Sequence, residues 1–254
     1  MSGELTGRTA LVTGGGNGLG RAMSRSLSAA GARVVVAGRT KDKVEETVAD
    51  LPGPGRAAVC DVADPGSVRA LAGELVGEEV SILVNNAGIA GPVRPLVEVD
   101  PAEWDEVFDT NVRGVYLVCR EFLPGMTERG FGDVVNVASV SGKRPLLNRT
   151  PYTASKMAVI GLTTTLAGEV GPLGVAVNSL SPGPVAGPRM DRNFRLEAER
   201  SGITEAEAER AFVSKALLGR MVTEQEVGEA LVRMLGMSGL CGADIDLSAG
   251  MVAR

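Results

Sequence analysis

Short β-branched runs alternate along the chain with longer stretches of helical period, the pattern of strands and helices taken in turn. Thr9-Ala10-Leu11-Val12-Thr13 is the first run; it ends in Gly14-Gly15-Gly16-Asn17-Gly18-Leu19-Gly20 and continues with helical spacing through Met23, Leu27 and Ala30 to Gly31. The spacing predicts strand, glycine turn, helix, with the helix starting near Asn17 or Gly18. Arg33-Val34-Val35-Val36-Ala37-Gly38 reads as a buried second strand, followed by a charged helix from Lys41 to Asp50 and a turn at Pro52-Gly53-Pro54-Gly55. Further strands are expected at 57–60, 80–84, 134–138 and 175–180, and helices near 65–77, 102–128, 151–171 and 224–236. Alternation of this kind predicts an α/β fold with a doubly wound parallel sheet.

Two helical stretches, Val112 to Met126 and Ala154 to Val170, are apolar on more than one side. Burial against both the sheet and a second subunit accounts for such a pattern, and a homo-oligomer, of tetramer type, is the expectation. From Pro182 to Arg220 a Pro/Gly opening gives way to a strongly charged, helix-prone stretch with scattered Met190, Phe194, Leu196, Ile203 and Phe212. It reads as a lid over residues 184–220, or else as a surface helical pair, within a single domain spanning 1–254.

Composition narrows the chemistry. The 254 residues, with 44% hydrophobic and 22% charged side chains, suit one sizeable globular core. A formal charge of -5 carries no basic footprint for nucleic acid, and no apolar run approaches a membrane span. The start, Met1 to Arg8, lacks signal-peptide character, so a cytoplasmic protein is expected. Cys60, Cys119 and Cys241 sit among apolar neighbours and read as small buried residues. The chain has no histidine, which removes Ser-His-Asp and Cys-His catalysis and most zinc chemistry, and no metal site is expected. Acid–base work falls to Tyr, Lys or carboxylates.

Tyr152 and Lys156, four positions apart at the start of a helical stretch, share one face of that helix. A tyrosine is a poor acid or base near neutrality, its unperturbed pKa being about 10, and a fixed cation nearby is the simplest way to lower it. The spacing alone also fits a helix tyrosine beside a solvated lysine. The glycine turn adds to it: Gly14, Gly16, Gly18 and Gly20, with Asn17 and Leu19, allow close approach of backbone to a pyrophosphate, and the helix start offers unpaired N–H groups and a positive dipole end. At the end of the second strand, where folds binding NAD carry an acid, this chain reads Gly38-Arg39-Thr40. Arg39 and the Thr40 hydroxyl would meet a 2′-phosphate, which favours NADP over NAD; Arg39 could equally face solvent.

Taken in order, Thr13-Gly14-Gly15-Gly16-Asn17-Gly18-Leu19-Gly20, Asp61-Val62, Asn85-Asn86-Ala87-Gly88, Asn111, Ser139, Tyr152-x-x-x-Lys156 and Pro182-Gly183 resemble the short-chain dehydrogenase/reductase family of the common, roughly 250-residue type, over nearly the whole chain. The resemblance implies a Rossmann-like fold and an NAD(P)(H)-dependent oxidoreductase interconverting a secondary alcohol and a ketone, with a 3-oxoacyl reductase among the options. It implies Ser139, Tyr152, Lys156 and Asn111 as the catalytic four, Asn111 holding a water that links Lys156 to solvent. Asp61 and Val62 would line the adenine pocket, Asn86, Ala87 and Gly88 would support the cofactor, and Tyr152, Lys156, Pro182 and Gly183 would meet its nicotinamide end. The family's Val-x-Thr is replaced by Val185-Ala186-Gly187, so carboxamide contact passes to the Val185 backbone or another group.

Pocket walls are expected from 140–148, including Ser141, Leu146, Leu147 and Asn148, from 89–93, and from the lid through Met190 and Phe194, with Arg189 or Arg192 able to greet an anionic substrate. The rival reading is a non-catalytic dinucleotide-binding scaffold or redox sensor, which would have no need of the four catalytic positions together. Nucleotide-sugar epimerisation or dehydration on a related fold fits the glycine spacing and chain length less well.

Overall fold

The computed structural model describes residues 4–144 and 146–252, so the chain start and position 145 of the pocket loop, both touched by the expectations above, lie outside the described residues. Among the described residues seven strands form one sheet: β1 (Thr9–Thr13), β2 (Arg33–Gly38), β3 (Gly55–Val59), β4 (Val80–Asn85), β5 (Gly132–Val137), β6 (Val175–Pro182) and β7 (Asp244–Leu247). Their order is β3-β2-β1-β4-β5-β6-β7 and every ladder is parallel. The strand order reverses between β1 and β4, so the loops leaving those two strands part to opposite faces and open a crevice at the carboxyl edge. The final strand escaped the sequence reading, because Asp244-Ile245-Asp246-Leu247 has none of the β-branched continuity of the central strands.

Period-two alternation sends strand side chains into two cores. Leu11, Val35, Leu83 and Val134 pack on one face with Leu71 of α3 (Pro65–Glu74) and Val118 and Met126 of a long helix. Ala10, Val12, Val34, Val36 and Ile82 pack on the other with Met23 and Leu27 of α1 (Gly18–Ala29), Val44 of α2 (Lys41–Ala49) and the C-terminal helix.

The stretch expected as one helix over 102–128 is divided. α4 (Pro101–Phe108) opens on an Asp100/Glu103 capping box with Pro101 in its first turn. It runs through a π-helical turn, Asp109–Arg113, into α5 (Gly114–Arg129), which stops at Gly130 with φ +65°. The π turn carries Asn111. α6 spans Thr150–Val170. Buried polar groups tie it to the sheet: Asn85 Nδ2 donates to Asn136 Oδ1 (2.8 Å), and Asn136 Nδ2 donates to Thr163 Oγ1 (2.9 Å).

The charged stretch folds as α7 (Pro188–Ser201) and α8 (Glu205–Val213), and the chain returns through α9 (Glu224–Leu235), packed against α1. The helical pair has a small core of its own made of Met190, Phe194, Ala208 and Met221, with Phe194 edge-on to Phe212 at 5.5 Å. That core corrects the expected pocket wall: Met190 and Phe194 are each 6% exposed and face their own helical pair. Cys60 and Cys119 are buried as expected, burial pushing the Cys119 thiol up to about 12, but Cys241 is exposed. Among the described residues no helix is long and apolar enough to cross a membrane.

Candidate active site

The loops after β1 and β4 are stitched to each other at the crevice. Thr13 Oγ1 accepts from the Asn86 and Ala87 backbone N–H groups at 3.1 and 3.2 Å, and Asn86 Nδ2 donates to the Thr13 and Gly14 carbonyls at 3.0 Å each. These contacts leave no room for side chains at Gly14 and Gly20. A Cβ on Gly20 would lie 2.2 Å from the Gly14 carbonyl oxygen, and one on Gly14, at φ +63°, would lie 2.8 Å from Ala87 Cα. Gly18, also at positive φ, opens α1, and the Asn17 side chain makes no capping bond to its first turn. The first N–H groups therefore face outward with the positive end of the helix dipole, which suits an anion.

Along the same edge, Arg39 and Thr40 are exposed at the end of β2, and Thr40 makes no side-chain cap to α2 although it stands at the cap position. Gly16 lies against Lys43, a second basic residue beside the turn that the sequence reading did not place: a Cβ there would be 3.0 Å from Lys43 Cβ. Past β3, Asp61 Oδ1 accepts from the Ala63 N–H (3.0 Å) and Val62 packs closely on Gly114. Leu19 is half-buried under the turn. A backbone cradle, an outward helix start and a row of residues at three successive strand ends together fit a dinucleotide.

The other half of the crevice is built from side chains. Tyr152 sits half-buried in the first turn of α6, and Lys156, one turn on, is 6% exposed. Lys156 Nζ donates to the Val137 carbonyl at 2.8 Å and lies 5.9 Å from the centre of the Tyr152 ring. Burial pushes the Lys156 ammonium below the ordinary lysine range, and the negative form of Tyr152 pulls the other way. Ser139 caps a short 3₁₀ turn, Val140–Gly142, its Oγ accepting from the Ser141 N–H (3.1 Å). Gly142 presses this turn onto α6, where a Cβ would be 3.0 Å from the Met157 nitrogen.

Asn111 has more partners than its expected water. Its Oδ1 accepts from the Ile89 N–H (2.8 Å), and Nδ2 donates to the Ile89 carbonyl and to Ser155 Oγ, each at 3.0 Å. Both amide donors are engaged, leaving one lone pair on Oδ1. Ser155 Oγ in turn donates to the Tyr152 carbonyl (2.7 Å), which makes Ser155 a strut the sequence reading missed. A Cβ on Gly88 would stand 3.1 Å from Asn111 Oδ1 and 3.5 Å from Lys156 Nζ, so Gly88 lets the β4 loop come down beside both.

Gly183, just past the end of β6, is backed by Ser248, whose Cα would be 2.8 Å from an added Cβ. The segment after it is pinned by backbone, Ala186 N–H to the Val222 carbonyl at 2.8 Å and Val222 N–H to the Pro184 carbonyl at 3.3 Å, with Val185 half-buried between. Leu146, Leu147 and Asn148 are exposed, and the Asn148 carbonyl accepts from the Arg94 N–H (3.0 Å), joining the two loops expected as pocket walls. Arg192 is exposed, and the Arg189 side chain lies outside the described residues.

Ser139, Tyr152, Lys156 and Asn111 thus lie where the 3₁₀ turn, the first turns of α6 and the loop after β4 come together. Residues 8–199 match the family pattern described as short chain dehydrogenase. The chain belongs to that family. Among its relatives, a candidate ketoacyl reductase of the granaticin polyketide synthase from Streptomyces violaceoruber is 37% identical over 236 residues, 89% of this chain and 85% of that protein. The structure of a single-site variant of actinorhodin polyketide ketoreductase with NADPH superposes with a TM-score of 0.91, at 30% identity and with all of both chains covered. NAD+-bound xylitol dehydrogenase superposes at 0.90, with 25% identity over 97% of this chain and all of that one. Membership makes this dehydrogenase an oxidoreductase of CH–OH groups that works with a nicotinamide cofactor.

Proposed function

We propose that the enzyme reduces a ketone to a secondary alcohol, or runs the reverse reaction, with Tyr152 as the proton-transferring group and NADP as the preferred cofactor. The observation that carries this reading is the convergence of Ser139, Tyr152 and Lys156 beside a glycine turn in which Gly14 and Gly20 have no room for a Cβ. The bound nicotinamide supplies or accepts the hydride. Ser139 Oγ, oriented by the Ser141 N–H, hydrogen-bonds the substrate oxygen. In the reducing direction the Tyr152 hydroxyl gives that oxygen its proton, and the phenolate left behind faces the Lys156 ammonium. Asn111 and Ser155 hold the β4 loop and the first turn of α6 at fixed separation, so the tyrosine and lysine stay aimed at one place.

Gly14, Gly16, Asn17, Gly18, Leu19 and Gly20 would cradle the pyrophosphate, Asp61 and Val62 the adenine, and Asn86 to Gly88, Pro182, Gly183 and Val185 the nicotinamide side. Arg39 and Thr40, exposed where an acid would repel a 2′-phosphate, support NADP. Leu146, Leu147 and Asn148, with Ser141 deeper, line the substrate side, and α7–α8 cover it as a lid. A 3-oxoacyl thioester suits this open apolar rim and agrees with the ketoacyl reductases among the relatives.

The groove between α5 and α6, about 600 Å³ and lined by Tyr116, Leu123, Leu162 and Leu166, supports self-association through these two-sided helices, the tetramer type being the expectation. Light scattering giving the mass of a single chain would refute it. For the chemistry, a panel of 3-oxoacyl thioesters, cyclic ketones and sugars is read by NADPH absorbance. Tyr152→Phe is expected to lower turnover of the best substrate by about 10²–10⁴-fold with cofactor binding and melting temperature intact. Undiminished turnover in that variant rejects the mechanism, and binding of cofactor with no reduction of any carbonyl supports a sensor instead.

A further inference from the structure

Beneath Ser139 lies an ionic cluster that the mechanism above does not use. Lys143, directly after the 3₁₀ turn, has a side chain only 7% exposed, and its Nζ donates to Asp244 and to Asp246 on β7. Asp244 continues the chain of contacts inward, its Oδ1 accepting from Ser179 Oγ and Ser181 Oγ of β6 at 2.7 Å each. Both serines are fully buried. Three separate pieces of backbone are therefore joined through Lys143 and Asp244: the turn carrying Ser139, the strand that leads into Pro182-Gly183, and the strand that leads to Ser248 behind Gly183. The opposite side of the turn rests on α6 at Met157, next to Lys156.

A buried lysine that loses its partners is costly, and hydrophobic residues would fill the same space at least as stably, so the cluster is poorly explained as mere stabilisation. What it supplies is direction. Apart from it, the turn is held by its packing on α6, by the Ala138 N–H bond to the Leu180 carbonyl (2.8 Å) just before Ser139, and by Arg144 donating to the Met251 carbonyl at 3.5 Å, none of which ties the Ser139 turn to β7. We infer that Lys143 is a positioning residue that, with Asp244, fixes the Ser139 hydroxyl relative to the end of β6. This inference rests on the carbonyl-reductase reading for its kinetic consequence, while its structural part stands apart from it.

The test compares Lys143→Met, Lys143→Arg and the double variant Lys143→Met/Asp244→Asn with wild type. Lys143→Met is expected to lower kcat for a 3-oxobutanoyl thioester by about 10–100-fold, the scale of a misplacement near 1 Å, while the Kd for NADPH changes less than about twofold. Hydrogen exchange of the free enzyme should quicken at residues 139–144, whose Gly142, Lys143 and Arg144 N–H groups bond within the turn, and stay unchanged in α1. Lys143→Arg should restore most of the turnover. The double variant, which removes the more buried of the two carboxylates left without the ammonium, should regain part of the melting temperature without regaining kcat. Turnover that follows melting temperature across the set, or exchange at 139–144 that Lys143→Met leaves unchanged, overturns the proposal. A wild type inert towards every carbonyl would refute the reductase reading instead, with the exchange data still deciding whether Lys143 holds the turn.

Discussion

The two halves of the crevice are made by different means. On the β1/β4 side the working surface is backbone: glycines at positive φ, a helix start with an idle cap, and a Thr13–Asn86 stitch between adjacent loops. On the β5/β6 side it is side chains, most of them buried and each braced by a residue from another element: Lys156 by Val137, Asn111 by Ile89 and Ser155, Lys143 by Asp244 and Asp246. The contrast follows from the tasks. An anion is satisfied by N–H groups and open space, whereas proton transfer needs particular groups held at particular separations.

The comparison breaks most sharply at Gly20. Gly20→Val would force a side chain into the Gly14 carbonyl and Asn86 amide, so cofactor binding should vanish in fluorescence titration and the melting temperature should fall, with overpacking of about 1–3 kcal/mol as the minimum cost. A variant that binds NADPH normally would show that the cradle is not backbone-made. A smaller effect is expected at the edge of the same half. Arg39→Ala should shift the kcat/KM preference for NADPH over NADH by about 10–100-fold, the worth of a charge-assisted phosphate contact of roughly 1.5–3 kcal/mol. An unchanged ratio would remove the 2′-phosphate assignment and leave Lys43 or Thr40 to be tried.

The smallest effect lies outside both halves and serves as their control. The Arg220 guanidinium, with the Thr223 N–H, holds the Glu226 carboxyl down at about 2, against an ordinary 4.5. A depressed carboxyl contributes its full stability above about 4.5 and loses it as pH falls towards 2. The pair is largely exposed, so screening limits it to about 0.5 kcal/mol, or roughly 1–2 °C in melting temperature. Glu226→Gln should flatten the acid side of the stability curve by that amount at the start of α9, with no change in turnover at neutral pH. A large loss of turnover there would mean that α9 reaches the site more directly than its packing on α1 suggests.

The backbone half was legible before any coordinates because its requirements are local. Gly14, Gly18 and Gly20 announce the turn by their spacing, and the missing acid beside Arg39 carries the NADP proposal. Tyr152 and Lys156 were legible for the same reason, since helical period puts them on one face. The braces were not. Neither Ser155 nor Lys143 carries a local sign of its role, because the groups they bond, Asn111 and Asp244, lie far along the chain; and Asp244-Ile245-Asp246-Leu247 hid an edge strand behind two acids whose period-two spacing was the one available sign. Met190 and Phe194 looked like pocket lining because apolar residues in a charged stretch have two possible cores to join.

By itself, the sequence determined the alternation of the first six strands with their helices, the glycine turn after β1 and the helical face shared by Tyr152 and Lys156, because periodicity, glycine and spacing act within a few positions of one another. Only the tertiary structure decided the π-helical turn at Asn111, the helical pair's separate core and the meeting of Lys143 with Asp244 and Asp246 across about a hundred residues. Such contacts depend on how parallel strands stack side by side in the sheet, and no local pattern encodes which distant side chain will lie opposite.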